Sequence, residues 1–195
     1  MGESLLRVGL GRGIEFRFLG NSFGALMAAG APAVRGMEDS KVGVKVNLID
    51  QPDSVHGAIP SLSVLVGTSL PNGARGIGAG VALPEAHVAA NWNTPSPISI
   101  VANLGLNAAF DGITRSTAGW MSTTTSYAVN SHVSLFVQAM HQFDVRGGVS
   151  SATHADGGVA LTLGERLELD ARVGRGVAGS ATHDRIFGFG IARRF

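Results

Sequence analysis

The sequence predicts an all-β fold: one antiparallel sheet that spans a membrane and closes on itself. Three observations predict it. Apolar and polar residues alternate with period two along most of the chain, the connections alternate between tight and long, and the last strand ends in phenylalanine. Successive side chains of a strand point to opposite faces, so such alternation gives one apolar and one wet face.

The elements follow in order. LLRVGL and IEFRF (14–18) flank a tight Gly-Arg-Gly, and the second sets Ile14, Phe16 and Phe18 against Glu15 and Arg17. Residues 21–40 read as a long loop, within which GALMAAGA is the one stretch with any helical periodicity. KVGVKVNLI (41–49) puts Val42, Val44, Val46 and Leu48 on one side and Lys41, Gly43, Lys45 and Asn47 on the other. IPSLSVLVGTSL and PEAHVAANW alternate similarly. ISIVANLGLNAAF (98–110) has Ile98, Ile100, Leu104, Leu106 and Phe110 on one face, with Ser99, Asn103 and Asn107 on the other. STAGWMSTTTSYAV is the least regular, because Thr and Ser suit either face. VSLFVQAMHQF, GGVALTL, LELDARVG and IFGFGIARRF complete roughly eleven strands, several near the ~9–11 residues that cross a bilayer when tilted.

The gaps carry a second rhythm. Counting back from the C-terminus, 177–185 is loop-like and 164–166 tight; 146–156 is long and 129–132 tight. DGITR is medium, NTPSP short, PNGARGIGAG long, and QPDSVHGA longer than its place predicts. Short turns at one end and longer loops at the other are the habit of outer-membrane barrels. Phe187, Phe189, Ile191 and Phe195 share one face of the closing strand, interrupted by Arg193. Such a strand resembles the signal read by the outer-membrane barrel assembly machinery.

Opposite the apolar stripes stand mostly Ser, Gly, Ala, Asn and Gln, which suit a confined, hydrated lumen better than an open surface. The valines of 41–49 are therefore placed against lipid and the lysines in water. Sliding that strand by one residue would turn Lys41 and Lys45 into hydrocarbon, at about 2–4 kcal/mol each near the midplane. A sheet in lipid must also close, since an open edge leaves unpaired N–H and C=O groups there. The expectation is an antiparallel up-and-down transmembrane β-barrel, about 12 strands in the full protein with roughly 11 present here, forming one domain over residues 1–195. Even strand parity places one further strand upstream.

Composition narrows the function. Fifteen Lys and Arg against fourteen Asp and Glu give no basic footprint, so nucleic acid is excluded. There is no cysteine, and hence no disulfide or thiolate metal site. No apolar run is long enough for a transmembrane helix, and MGESLLRVGL carries neither the basic leader nor the apolar stretch of a signal peptide.

LLRVGLGRGIEFRF, EDSKVGVKVNLI, PSLSVLVGTSLPNG, Asn103-Leu104-Gly105, DGGVALTLGERLELDARVGRGV and FGFGIARRF resemble, in order, the blocks of one family. It comprises outer-membrane transporters labelled the MetA pathway of phenol degradation. The resemblance implies a barrel in a Gram-negative outer membrane and passage of small molecules, aromatic ones among them. It departs from the family at Gln138, where many relatives carry an acid.

The expected lumen residues are Arg7, Glu15, Arg17, Lys41, Lys45, Glu85, Asn103, Gln138, Glu168, Asp170 and Arg172, with Asp144 and Arg194 beside them. They read as cross-strand ion pairs, as a selective constriction, or as both. His154 and His183 each end a Ser-Ala-Thr-His run and, with Asp156 and Asp184, form a conceivable metal set; coincidental repetition in polar loops is the preferred reading, so no metal or cofactor is expected. Trp92 and Trp120 fit an interfacial belt. His141 falls on the lipid side with no serine two residues away, so no catalysis is expected. The implied partners are membrane lipid and lipopolysaccharide, the assembly machinery, and a small solute. The competing readings are a plugged barrel that binds through its loops and a soluble β-sandwich.

Overall fold

A computed structural model describes residues 4–20, 23–26, 34–51, 59–164 and 166–193. Its strands are β1 (Ser4–Gly11), β2 (Ile14–Gly20), β3 (Phe23–Leu26), β4 (Val34–Met37), β5 (Lys41–Ile49), β6 (Ser61–Ser69), β7 (Pro84–Asn93), β8 (Ile98–Phe110), β9 (Arg115–Ala128), β10 (Val133–Arg146), β11 (Ala152–Leu163), β12 (Leu167–Gly179) and β13 (Arg185–Arg193). Eleven of them form one sheet in chain order, from β1 and β2 through β5 to β13, each antiparallel to the next. The short β3–β4 hairpin stands apart.

The register follows the alternation. Val44 lies opposite Phe16 and Val66, and that apolar row continues through Ala86 and Leu106. Lys45 lies opposite Glu15 and Leu65 on the other face. Exposure is inverted relative to a soluble sheet: Phe189 is 91% exposed and Val137 63%, whereas Ser122 is 6% exposed. All the apolar stripes share one face, and the buried Ser63, Ser69 and Ser122 share the other. A single sheet can bury its polar side only by curling around it. Among the described residues only β3–β4 lies outside the sheet, so no second layer seals the valines.

The ends differ less than expected. Residues 21–40, 70–83, 111–114, 147–151 and 180–184 connect strands at one end, where the two longest connections lie; 12–13, 94–97, 129–132 and 164–166 turn the chain at the other, where 50–60 is the long exception. Arg12 and Gly13 both have positive φ, 53° and 75°, as a two-residue I′ hairpin requires.

Three expectations change. The helical reading of GALMAAGA gives way to β3 over Phe23–Leu26, its remaining residues lying outside the described ones. The loop placed at 146–156 shrinks to 147–151, because Ser-Ala-Thr-His-Ala-Asp continues the alternation, with Thr153 and Ala155 outward and His154 and Asp156 inward. The loop placed at 177–185 shrinks to 180–184 for a similar reason. Arg194 and Phe195 lie outside the described residues.

Candidate functional site: the polar face of the barrel

The register places all eleven expected lumen residues on the polar face. Arg7, Glu15, Arg17, Lys41, Lys45, Glu85 and Asn103 gather over β1–β8 around two adjoining cavities of about 180 and 120 Å³, which share Arg17, Leu65 and His87. Gln138, Glu168, Asp170 and Arg172 sit apart from them, on β10 and β12.

Ion pairing differs from a ladder between neighbouring strands. Lys41 Nζ donates to Glu85 Oε2 at 2.7 Å, reaching across β6. Gly67 makes this possible, because it lies opposite Glu85 and Gly43 and puts no side chain in the way. Arg17 Nε sits 3.4 Å from Glu15 Oε1, two residues along its own strand, without hydrogen-bond geometry. That Nε is buried and unpartnered among the described residues, and Arg7 lies directly opposite Arg17. Arg172 and Asp170 lean over Gly188 and Gly190 of β13 and form no ion pair among the described residues.

The apolar part of this face was not foreseen. Leu65, 7% exposed, stands between Lys45 and His87. The rings of His87 and Trp120 lie 5.1 Å apart, tilted by 59°, on either side of Gly105. A Cβ on Gly105 would come within 2.7 Å of both the Trp120 ring and His87 Cβ, so this glycine makes their space. Trp120 is therefore a lumen residue, and its place in an interfacial belt is corrected. The sequence held the signal: Trp120 and Tyr127 are seven apart, so they cannot share a face. Trp92 and Tyr127 do share the outward face, near the tight-turn end.

Gln138 lies opposite Thr124 on β9 and Asp156 on β11, so an acid stands beside it on the neighbouring strand. His154 Nε2 is 3.0 Å from Asp184 Oδ2, and Ala181, buried beside Gly176, seats the 180–184 connection against the same wall. His154 Nδ1 and Asp156 Oδ1 are buried without hydrogen-bond partners among the described residues. The four-residue metal set is not assembled: among the described residues no three His, Asp or Glu side chains converge as ligands.

The sequence model of the family described as "Putative MetA-pathway of phenol degradation" matches residues 6–195. The chain belongs to this family. No curated protein matches it. Among solved structures it is similar to an outer membrane channel from Pseudomonas putida F1, with a TM-score of 0.75 over 97% of this chain and 79% of that one, at 13% identity. The likeness shows the fold, a transmembrane β-barrel.

In this MetA-pathway family member the long connections brace one another. Asp39 accepts hydrogen bonds from Gly73 N and Ala79 N, each at 2.7 Å, and Asn72 Oδ1 accepts from Ser40 N at 2.9 Å. The mouth at this end is thus built from two connections held by one carboxylate. On the outward face, His141 Nδ1 lies 2.9 Å from Thr153 Oγ1, a hydroxyl supplied by the neighbouring strand. The ring also stacks on Phe143 at 5.9 Å. No third polar group orients the imidazole among the contacts described, as a nucleophile–base pair needs.

Proposed function

We propose that this protein is an outer-membrane channel of a Gram-negative bacterium that passes small molecules passively, hydrophobic and aromatic ones among them. One observation carries the reading. The polar face holds cavities bordered at once by Arg17, whose buried Nε makes no hydrogen bond among the described residues, and by the apolar Leu65 and the His87 ring, against which Trp120 packs. A one-ring solute can lay its face on Leu65 and the His87 ring while a hydroxyl or carboxylate accepts from the Arg17 guanidinium. The family's name and the channel neighbour support the same direction. The outward stripe of Phe187, Phe189 and Ile191 supports handling by barrel assembly machinery.

The test is liposome swelling with the purified full-length protein, comparing phenol- and benzoate-sized solutes with sugars of similar mass. Faster entry of the ring compounds is expected; a barrel closed to every solute would overturn the reading. The braced mouth at Asp39 favours one alternative, a plugged barrel binding a partner through its loops, which that closed result would support.

A further inference from the structure

The charges on the strands of the main sheet are sorted by face. Every acid (Glu15, Glu85, Asp144, Asp156, Glu168 and Asp170) lies on the polar side. The outward face carries no acid. Its cations are arginines, with His141 and Tyr127 the other titratable groups. Four of those arginines, Arg115, Arg146, Arg175 and Arg185, stand at the long-connection end of their strands.

Two of them face each other. Arg175 of β12 is the direct cross-strand partner of Arg185 of β13, both are exposed, and neither has an acidic partner among the described residues. Like charges in that position repel. They border a hollow of about 560 Å³ that His183 also lines, and whose apolar side is Val173 and Phe187, the next outward residues toward the middle of the sheet. Asp184 lines the hollow too, its Oδ2 engaged 3.0 Å from His154 Nε2. The arrangement is cationic at the rim and greasy below.

The geometry points to a binding site for lipid A, with one sugar phosphate between Arg175 and Arg185 and acyl chain against Val173 and Phe187. A phosphate there turns the repulsion into charge-assisted, bidentate hydrogen bonds. Long connections mark the external end of such barrels, and in the outer leaflet the phosphate-bearing lipid is lipopolysaccharide. This inference rests on the outer-membrane reading above, because only there does the apolar face meet that lipid.

The experiment incubates the full-length, detergent-purified barrel with bisphosphorylated lipid A, dephosphorylated lipid A or phosphatidylglycerol, and counts bound lipid by native mass spectrometry. The wild type is expected to prefer bisphosphorylated lipid A. The Arg175→Gln/Arg185→Gln protein is expected to bind it on the order of 10-fold more weakly, and Arg175→Lys/Arg185→Lys to retain most of the binding. The dephosphorylated lipid should bind the wild type no better than the double glutamine variant binds lipid A. Wild-type binding indifferent to phosphate overturns the site without recourse to any variant, as does phosphatidylglycerol binding as tightly as lipid A. Insertion into liposomes, read from heat-shifted gel migration, separates the two levels. A protein that never inserts removes the channel reading and this site together; one that inserts but ignores phosphate removes the site alone.

Discussion

Gly105 shows how much one missing side chain decides. It lies between His87 and Trp120 in the register, and the Trp120 ring and His87 Cβ both crowd the space a Cβ would fill. Adding a methyl to such a packed position costs about 1–3 kcal/mol. Gly105→Ala is expected to lower the unfolding free energy of the barrel by that amount, read from urea titration, while Trp120→Ala should raise single-channel conductance and reduce the preference for ring compounds. Asp111 works outside the membrane, in the β8–β9 connection. Its carboxylate accepts from Thr114 N at 2.7 Å and Ile113 N at 2.8 Å, and these two bonds hold its pKa below the ordinary aspartate value. A depressed carboxylate stabilises above its unfolded pKa, about 3.9, and loses that contribution as pH falls through the lower folded value. Amide exchange at Ile113 and Thr114 should therefore stay protected from neutral pH to about pH 4 and open at lower pH. Asp111→Asn should weaken that protection at neutral pH.

At the scale of the element, period-two patterning was decisive where one face was uniformly apolar. β5 and β8 could be read residue by residue, because a one-residue slip would reverse every side chain. Val44→Lys tests this directly. It turns a charge outward beside Phe16 and Val66, at about 2–4 kcal/mol near the midplane, and should lower folded yield in lipid vesicles. Gly43→Lys, on the lumen face of the same strand, is no gentler control, since its Cβ would meet the Val66 carbonyl at 2.9 Å. Asn47→Lys is the better one: it removes the hydrogen bond that Asn47 Oδ1 accepts from Ser63 Oγ at 2.9 Å, about 1 kcal/mol, and a smaller loss than that of Val44→Lys is expected. Legibility failed where composition was neutral. β9 is rich in Ser and Thr, so the spacing put Trp120 and Tyr127 on opposite faces without saying which faced lipid; only pairing with β8 decides it. β11 was cut short because Ala, Thr and His resemble a loop until β10 lines them up. The lumen cluster divides the same way. Its charged members were visible one strand at a time, but Leu65, His87 and Trp120 become neighbours only through the register across β6 to β9.

The whole molecule poses a question about its seam. Eleven consecutive antiparallel strands leave β1 and β13 running in the same direction, and no pairing joins them among the described residues. Hydrocarbon does not tolerate two such edges, whose N–H and C=O groups would each cost several kcal/mol unpaired, to roughly the same extent as any polar group buried without a partner. Closure can be direct, which makes a parallel seam, or can pass through one further strand antiparallel to both, which restores the even count of bacterial single-chain barrels. The two differ in distance: paired strands lie about 4.8 Å apart, and an intervening strand doubles that. Disulfides need Cα atoms within about 7 Å. Cysteines placed singly at Leu6 or Val8 of β1 and at Phe187, Phe189 or Ile191 of β13, in the full-length protein in membranes, are therefore expected to form no intramolecular disulfide in any combination. Ala171→Cys with Phe189→Cys, true partners across β12 and β13, should cross-link readily and shows that the oxidation works. A β1–β13 disulfide would instead establish the parallel seam and dispense with a twelfth strand. It would also narrow the lumen around Arg7, Arg17 and Glu15, since the circumference grows with strand number.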